Sequence, residues 1–135
     1  MVSPKLFGTA LLTGAAIACA IPAPIALAEG NQPAERLGLV NLTIHDHATK
    51  TFRTALLACG LNTGSHPDPE AACDAIANAE GDIDAIEGDD GMCPLIYAPA
   101  TVRATGFFAG KPVEYSETFS NACVAANATA GVFDF

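Results

Sequence analysis

Two histidines near position 46 come closest, by type and spacing, to a metal site. His45 and His47 are two residues apart, which on a β-strand would direct both rings to the same side. A zinc site needs at least three protein ligands, and no third candidate stands at a comparable spacing. We therefore expect a solvated turn here and no metal ligand in the chain. A metal-dependent enzyme built on this pair is kept only as a minor alternative.

The acidic run between Asp82 and Asp90 resembles a calcium-binding loop in composition but not in order. Counted from Asp82, an EF-hand loop needs an oxygen ligand at its fifth position, glycine at its sixth and glutamate at its twelfth. Ile86, Glu87 and Cys93 occupy those positions instead. The run is therefore expected to be a solvated acidic loop, and we expect the protein to carry no cofactor.

Nucleophilic catalysis finds no support in the sequence either. No serine lies in a Gly-x-Ser-x-Gly context, and cysteines paired in disulfides would offer no thiolate. His66 lies in a Gly-Ser-His-Pro turn that has no base or nucleophile nearby in sequence. We therefore do not expect the chain to be an enzyme.

The segment Gly-Met-Cys-Pro-Leu-Ile-Tyr-Ala-Pro, residues 91–99, restricts its own backbone strongly. Pro94 and Pro99 each fix their own φ near about −65° and hold the residue before them in the extended region. The composition therefore predicts a stiff, extended segment that carries Leu95 and Ile96. From these residues alone, burial of Leu95 and Ile96 in an edge strand is the favoured interpretation.

Alternating polar and apolar residues predict the strands that would surround this segment. They cover residues 36–44, 52–59, 101–107 and 113–119. A shift in the alternation at Leu39-Val40 predicts a β-bulge. Residues 60–70 are rich in Gly, Pro, Asn and Asp and are predicted to form a loop, whereas residues 132–135 alternate and are predicted to form a closing strand.

Two helices are predicted from capping signals. Residues 69–80 should be helical, because Asp68 is suited to cap the first turn and Gly81 to end the helix. A short helix is expected within residues 120–131, with Ser120 as its cap. Strands and helices follow one another without a regular strand–helix–strand rhythm, which indicates a single α+β domain with an antiparallel sheet.

The first 28 residues have the features of a secretory signal peptide. An apolar run over residues 6–21 is followed by Ala26-Leu27-Ala28, a small-x-small pattern that signal peptidase cleaves. The run has 16 residues, which is short for a membrane span. We therefore expect a secreted, extracellular protein that makes no membrane contact after cleavage. The expected organisation is a removed signal peptide (1–28), a flexible leader (29–35) and one domain (36–135).

The mature chain would be strongly acidic. Removal of the signal peptide leaves 5 basic and 15 acidic residues, a formal net charge of −10. Such a chain repels nucleic-acid phosphates and anionic lipid, so neither is an expected partner.

Four cysteines would remain after cleavage: Cys59, Cys73, Cys93 and Cys123. An even number in a small exported domain predicts two disulfides, for which three pairings are possible. Pairing in sequence order is the most economical of the three. No Cys-x-x-Cys spacing occurs, which argues against a zinc site.

Three ordered segments of the chain resemble the Streptomyces subtilisin inhibitor family of serine protease inhibitors. The pattern Gly-x-His-Pro-x-x-x-x-Ala-Cys matches residues 64–73, and Met-Cys-Pro-x-aliphatic-Tyr-x-Pro matches residues 92–99. The pattern Tyr-x-x-x-Phe-Ser-Asn-x-Cys matches residues 115–123. The similarity extends over most of residues 36–135, which makes it specific.

The resemblance implies a fold and a function for the chain. It implies a five-stranded antiparallel sheet with two helices, disulfides paired in sequence order, and a homodimer formed through the sheet. It also implies inhibition of extracellular serine proteases of the subtilisin type, and of the chymotrypsin type as a second class. The reactive peptide bond would be Leu95–Ile96, supported from behind by Asn121. The remaining protease-binding residues would be Gly91, Met92, Cys93, Pro94 and Tyr97.

Three positions differ from the family pattern. Leu61 stands where proline is usual, and Ile76 replaces the usual leucine, but both lie away from the reactive segment. Ala98 occupies a position that is often acidic, which is expected to alter the range of target proteases. The main alternative function is an exported binding or structural module that inhibits no protease.

Overall fold

A five-stranded antiparallel sheet forms the framework of the protein. The structure, a computed structural model, describes residues 36–135, so the predicted signal peptide and leader lie outside it. The strands are β1 (Gly38–Asp46), β2 (Thr51–Cys59), β3 (Thr63–Gly64), β4 (Ala100–Phe108) and β5 (Lys111–Phe119). They lie in the order β3-β2-β1-β4-β5, and every pairing is antiparallel. The predicted α+β class and five-stranded sheet are confirmed.

The central strand β1 runs without the predicted β-bulge. Its pairing with β2 is continuous from Gly38↔Cys59 to Asp46↔Thr51. Val40, Leu42 and Ile44 face the core, while the intervening side chains face the other side of the sheet. The shift in the alternation arises because Leu39 is an exposed apolar residue on that outer face, not because of an inserted residue.

Two α-helices, α1 (Pro69–Asn78) and α2 (Ala122–Ala128), flank the sheet. Helix α1 begins as predicted, since Asp68 Oδ1 accepts a hydrogen bond from Ala71 N at 3.1 Å. Helix α2 is capped by Asn121 rather than by the predicted Ser120, since Asn121 Oδ1 accepts from Val124 N at 2.9 Å. No helix in the described part of the chain is long and apolar enough to cross a membrane.

The fifth strand is not the predicted one at the C-terminus. Val132 and Phe133 lie in turns, and residues 134–135 belong to no helix or strand; Val132 N donates to Thr129 O and Asp134 N donates to Gly131 O. Val132 and Phe133 are both buried, whereas alternate side chains of a half-exposed strand would face solvent. The fifth strand is instead β3, within the segment 60–70 that was predicted to be a loop.

The core lies between the inner face of the sheet and the helices, and two disulfides bound it. Its largest buried side chains are Phe133, Leu42, Ile44, Leu57 and Ile76. Cys59–Cys73 joins the end of β2 to α1, with its Cα atoms 5.4 Å apart. Cys93–Cys123 joins the segment before β4 to the start of α2, with its Cα atoms 5.7 Å apart. Of the three possible pairings, the one in sequence order is therefore observed.

Candidate functional site

Residues 87–99, called the exposed loop below, leave the body of the protein and form neither helix nor strand. Leu95 is as exposed as in an extended peptide, with a relative exposure of 106%. Met92 and Tyr97 are 99% and 82% exposed, and Ile96 is also exposed. The interpretation of Leu95 and Ile96 as core residues of an edge strand is therefore wrong. Large apolar side chains held in water in this way are typical of a binding surface.

The downstream end of the exposed loop is fixed by its backbone. Ala98 N donates to Ser120 O at 2.9 Å, next to the start of α2. Pro99 O accepts from His47 N at 3.0 Å, and β4 begins at the next residue. The upstream half is fixed covalently by the Cys93–Cys123 disulfide. The loop is therefore tethered on both sides of Leu95 and Ile96.

Asn121 holds the main chain directly behind Leu95. Its Nδ2 donates to Pro94 O at 3.2 Å and to Ile96 O at 2.9 Å, so that the carbonyls of both neighbours of Leu95 are restrained. Because its Oδ1 caps α2, the same side chain joins the exposed loop to the helix. Asn121 is buried, whereas the Leu95 side chain that it backs points into solvent. The predicted site residues from Gly91 to Tyr97 thus share one supported segment.

Asn127, on α2, is a contact residue that the sequence did not indicate. Its Nδ2 donates to Gly91 O at 2.8 Å and to Cys93 Sγ at 3.1 Å. In the sequence it is an alanine-flanked asparagine in a short predicted helix, with nothing that links it to residues 91–93. No spacing rule connects it to residues more than 30 positions earlier.

The two histidines singled out in the sequence do not form a metal centre. The His45 ring stacks on Phe52 with centroids 4.2 Å apart, and His47 Nε2 lies 2.7 Å from Thr101 Oγ1. Across residues 36–135, no three His, Cys, Asp or Glu side chains come together in a way that could hold a metal ion. The solvated turn expected at His45 to His47 begins later than predicted, because His45 and Asp46 still belong to β1. The turn occupies residues 47–50, where Asp46 Oδ1 accepts from the backbone N–H groups of residues 48 and 49.

His66 lies in the fold rather than in a site. The side chain is buried, its Nδ1 accepts from Asp68 N at 3.0 Å, and its Nε2 lies 3.1 Å from Val132 O. Since Nδ1 is an acceptor, the proton is on Nε2 and is donated to Val132 O. His66 therefore fastens the start of α1 to the C-terminal residues.

Comparison with known sequences supports the family resemblance carried by residues 64–73, 92–99 and 115–123. The family model described as subtilisin inhibitor-like matches residues 36–121. The chain belongs to this family. Because the family is one of protease inhibitors, the expectation that the chain is not an enzyme is confirmed.

Individual members of the subtilisin inhibitor-like family are similar to the chain over most of its length. Subtilisin inhibitor-like protein 2 of Streptomyces rochei is 41% identical over 90 residues, which cover 65% of this chain and 80% of that protein. Trypsin inhibitor STI2 of Streptomyces longisporus is 35% identical over 126 residues, covering 92% and 85%. The relatives' names therefore include inhibitors of two different serine proteases.

A solved structure of the family resembles the fold. It contains sermetstatin of Streptomyces caespitosus in complex with subtilisin of Bacillus licheniformis. Sermetstatin is 31% identical to this chain, with a TM-score of 0.56, and the match covers 73% of this chain and 98% of sermetstatin. The described domain therefore corresponds to nearly the whole of a protein that forms a complex with a protease.

Proposed function

We propose that this protein inhibits serine proteases of the subtilisin type, with Leu95–Ile96 as the reactive bond. The observation that carries the proposal is a fully exposed leucine on a segment whose backbone is held by a disulfide and by Asn121. Proteases bind substrates in extended form, by pairing the main chain as an added strand. A segment that is already extended and tethered loses little conformational entropy on docking.

Leu95 determines the class of target in this proposal. As the residue that contributes the carbonyl of the reactive bond, it would enter the primary specificity pocket of the enzyme. Full burial of a leucine side chain there contributes roughly 1.5–3 kcal/mol. Subtilisin and chymotrypsin accept large apolar residues, whereas the trypsin pocket contains an aspartate that requires a cation. We therefore expect subtilisin and chymotrypsin to be inhibited and trypsin to be a poor target.

The tethered loop also explains why cleavage would not release the inhibitor. Cys93–Cys123 and Asn121 hold the main chain before Leu95, and Asn121 also holds Ile96 O after the bond. If Leu95–Ile96 were cut, the new amine of Ile96 would stay beside the acyl-enzyme. Held at a high effective concentration, it would attack the acyl group and reform the peptide bond in preference to departing.

Titration of subtilisin with the mature protein tests the function. Inhibition with a constant in the nanomolar range or tighter is expected, and an inhibition constant above micromolar would refute the function. Leu95→Lys should weaken inhibition of subtilisin and create inhibition of trypsin. The matched control is Leu61→Lys, which changes an exposed leucine in the turn after β2 and should leave the target profile unchanged. If Leu95→Lys also leaves it unchanged, the reactive bond lies elsewhere.

Secretion is part of the proposal. The apolar run over residues 6–21 and the Ala26-Leu27-Ala28 pattern support export and cleavage after Ala28. The two disulfides are consistent with an oxidising compartment, where such bonds form and persist. An extracellular location would place the inhibitor among extracellular serine proteases.

We also propose a homodimer formed through the outer face of the sheet. The antiparallel register places Leu39 beside Phe107 on that face, and Phe52 and Leu56 lie on the same side of β2. All four are exposed, and Phe107 is 50% exposed. Exposed apolar side chains grouped on a sheet favour burial against another apolar surface. In a two-fold symmetric dimer that surface is the same face of the second subunit.

Sedimentation velocity on the mature protein tests the dimer. Wild type should sediment as a dimer and Phe107→Asp as a monomer that still inhibits subtilisin, because β4 begins next to the exposed loop and Phe107 lies near the opposite end of that strand. Leu61→Asp serves as the control, since it places the same charge on an exposed apolar residue outside the strands. A Phe107→Asp variant that remains dimeric would show that the subunits do not associate through this face.

A further inference from the structure

We infer that Asn127 is a second positioning residue of the exposed loop. Asn127 fixes the residues upstream of the reactive bond, whereas Asn121 fixes the residues on either side of Leu95. The inference rests on the proposed function for its consequence in binding. Its structural part, the restraint of Gly91 and Met92 by α2, can be measured without any protease.

The contacts of Asn127 form a compact set directed at one stretch of the exposed loop. Both hydrogens of Nδ2 are engaged, one by Gly91 O at 2.8 Å and the other by Cys93 Sγ at 3.1 Å. The backbone contributes as well, because Asp89 N donates to Asn127 O at 2.8 Å. One residue of α2 therefore holds the loop at three positions before Leu95.

Two glycines allow this close approach. A Cβ on Gly91 would lie 2.6 Å from Asn127 Nδ2, and a Cβ on Gly88 would lie 2.7 Å from Asn127 O. Both distances are below any ordinary contact between a carbon and these atoms. Glycine therefore stands, once within the acidic run and once directly after it, at the two points where the chain passes over the end of α2.

The Asn127 side chain is not needed to cap the C-terminal end of α2. Thr129 N donates to Ala125 O, and Thr129 Oγ1 donates to the same carbonyl at 2.8 Å. Ala130 N and Gly131 N close the following turns. The last turn of α2 is thus satisfied by residues after Asn127, and the Asn127 amide is directed to the loop.

The consequence concerns Met92, which lies between the two residues that Asn127 contacts. Its side chain is 99% exposed, three residues before Leu95, while Gly91 and Cys93 on either side are held. Asn121, the cap of α2, and Asn127 in its last turn are six residues apart, about 9 Å along a helix at its usual rise per residue. The helix therefore supports the loop at two separated points and presents Leu95 and Met92 together to an enzyme.

The first test replaces the amide. Asn127→Ala removes both donors, and Asn127→Asp removes them while keeping the size of the side chain. Each variant should raise the inhibition constant for subtilisin about fivefold to tenfold, the value of one well-formed hydrogen bond in preorganisation. Each should also speed cleavage at Leu95–Ile96 during long incubation. Asn78→Ala is the matched control, because Asn78 is an exposed asparagine in the last turn of α1.

The second test uses the contact between Gly91 and Asn127. The methyl group of Gly91→Ala would occupy the place of the Asn127 amide and push it away, so that this variant should show the same defect as Asn127→Ala. In a double-mutant cycle the two changes should be strongly non-additive, with little further loss when both are present. Additive losses would mean that the two residues act separately, and the inference would be wrong.

A protease-free measurement separates this inference from the proposed function. In wild type, amide order parameters of residues 91–93 from nuclear magnetic resonance should match those of the strands; they should fall in Asn127→Ala but not in Asn78→Ala. Unchanged order parameters would overturn the inference. Wild type that fails to inhibit subtilisin, but shows these changes, would overturn the proposed function and leave the restraint established.

Discussion

Two loops of this protein are held by a disulfide and contain a proline beside their central residue, yet they direct their side chains in opposite ways. In the first, residues 60–68, which include the two-residue strand β3, His66 is 6% exposed and both of its ring nitrogens are hydrogen-bonded within the fold. In the exposed loop, Leu95 is 106% exposed, and hydrogen bonds from the body of the protein reach the main chain on either side of it. A disulfide and a proline thus accompany a buried side chain in one loop and an exposed side chain in the other.

The difference lies in which part of the residue is restrained. The first loop is fastened through the buried side chain of His66, so truncation of that side chain breaks contacts between the start of α1 and the C-terminal residues. On either side of Leu95 the exposed loop is fastened through main-chain carbonyl groups, which leaves the Leu95 side chain free to meet another molecule. We therefore expect changes in the first loop to lower the free energy of unfolding and changes at the supports of the second to weaken inhibition.

The largest expected separation is between the two disulfides. Cys93→Ser with Cys123→Ser should raise the inhibition constant for subtilisin on the order of 100-fold and turn the protein into a substrate, because the preorganisation of the loop is lost. Cys59→Ser with Cys73→Ser should leave the inhibition constant nearly unchanged at temperatures where the variant is folded. Inhibition assays and proteolysis followed by mass spectrometry measure both effects.

Thermal unfolding of the same two variants provides the control. Closure of loops with sequence separations of 14 and 30 predicts losses of about 3 and about 4 kcal/mol from chain entropy. Cys59 and Cys73 are buried, so serine at both positions adds the cost of burying hydroxyl groups, and this variant should be the less stable one. Equal loss of inhibition in the two variants would remove the distinction between the loops.

The fold was largely predictable because its signals are local. Alternation placed four strands within about two residues of their ends, and the Asp68 cap placed the start of α1. The errors arose where tertiary packing decides the outcome. Val132 and Phe133 are both buried, so the alternation of buried and exposed side chains that defines a half-exposed strand is absent there. Strand β3 has only two residues, too few to produce an alternating pattern in the sequence.

The candidate site was predictable in position but not in exposure. Prolines at 94 and 99 determine an extended backbone, yet the residue types of Leu95 and Ile96 favour burial, so only the resemblance to inhibitors pointed to an exposed role. The support from Asn121 was suggested by the same resemblance. Asn127 was missed because its partner, Gly91, is 36 residues away and no local rule joins the two.

Single substitutions in the two loops should separate stability from inhibition in the same way, with smaller effects than removal of a disulfide. His66→Ala removes two buried hydrogen bonds and leaves Asp68 N and Val132 O without their partner, which should lower the free energy of unfolding by about 2–4 kcal/mol. The inhibition constant should not change. Asn121→Ser should do the reverse, because serine still caps α2 but does not reach the carbonyls of Pro94 and Ile96.

The choice of serine at position 121 isolates the role of this residue in the loop. Asn121→Ala would lose the cap as well, at a cost of about 1 kcal/mol, so a difference in stability between the two variants measures the cap alone. Both should raise the inhibition constant about tenfold, since both lose the two donors to the loop. Weaker inhibition by His66→Ala, measured where it is fully folded, would show that the first loop shapes the second through the C-terminal residues and α2.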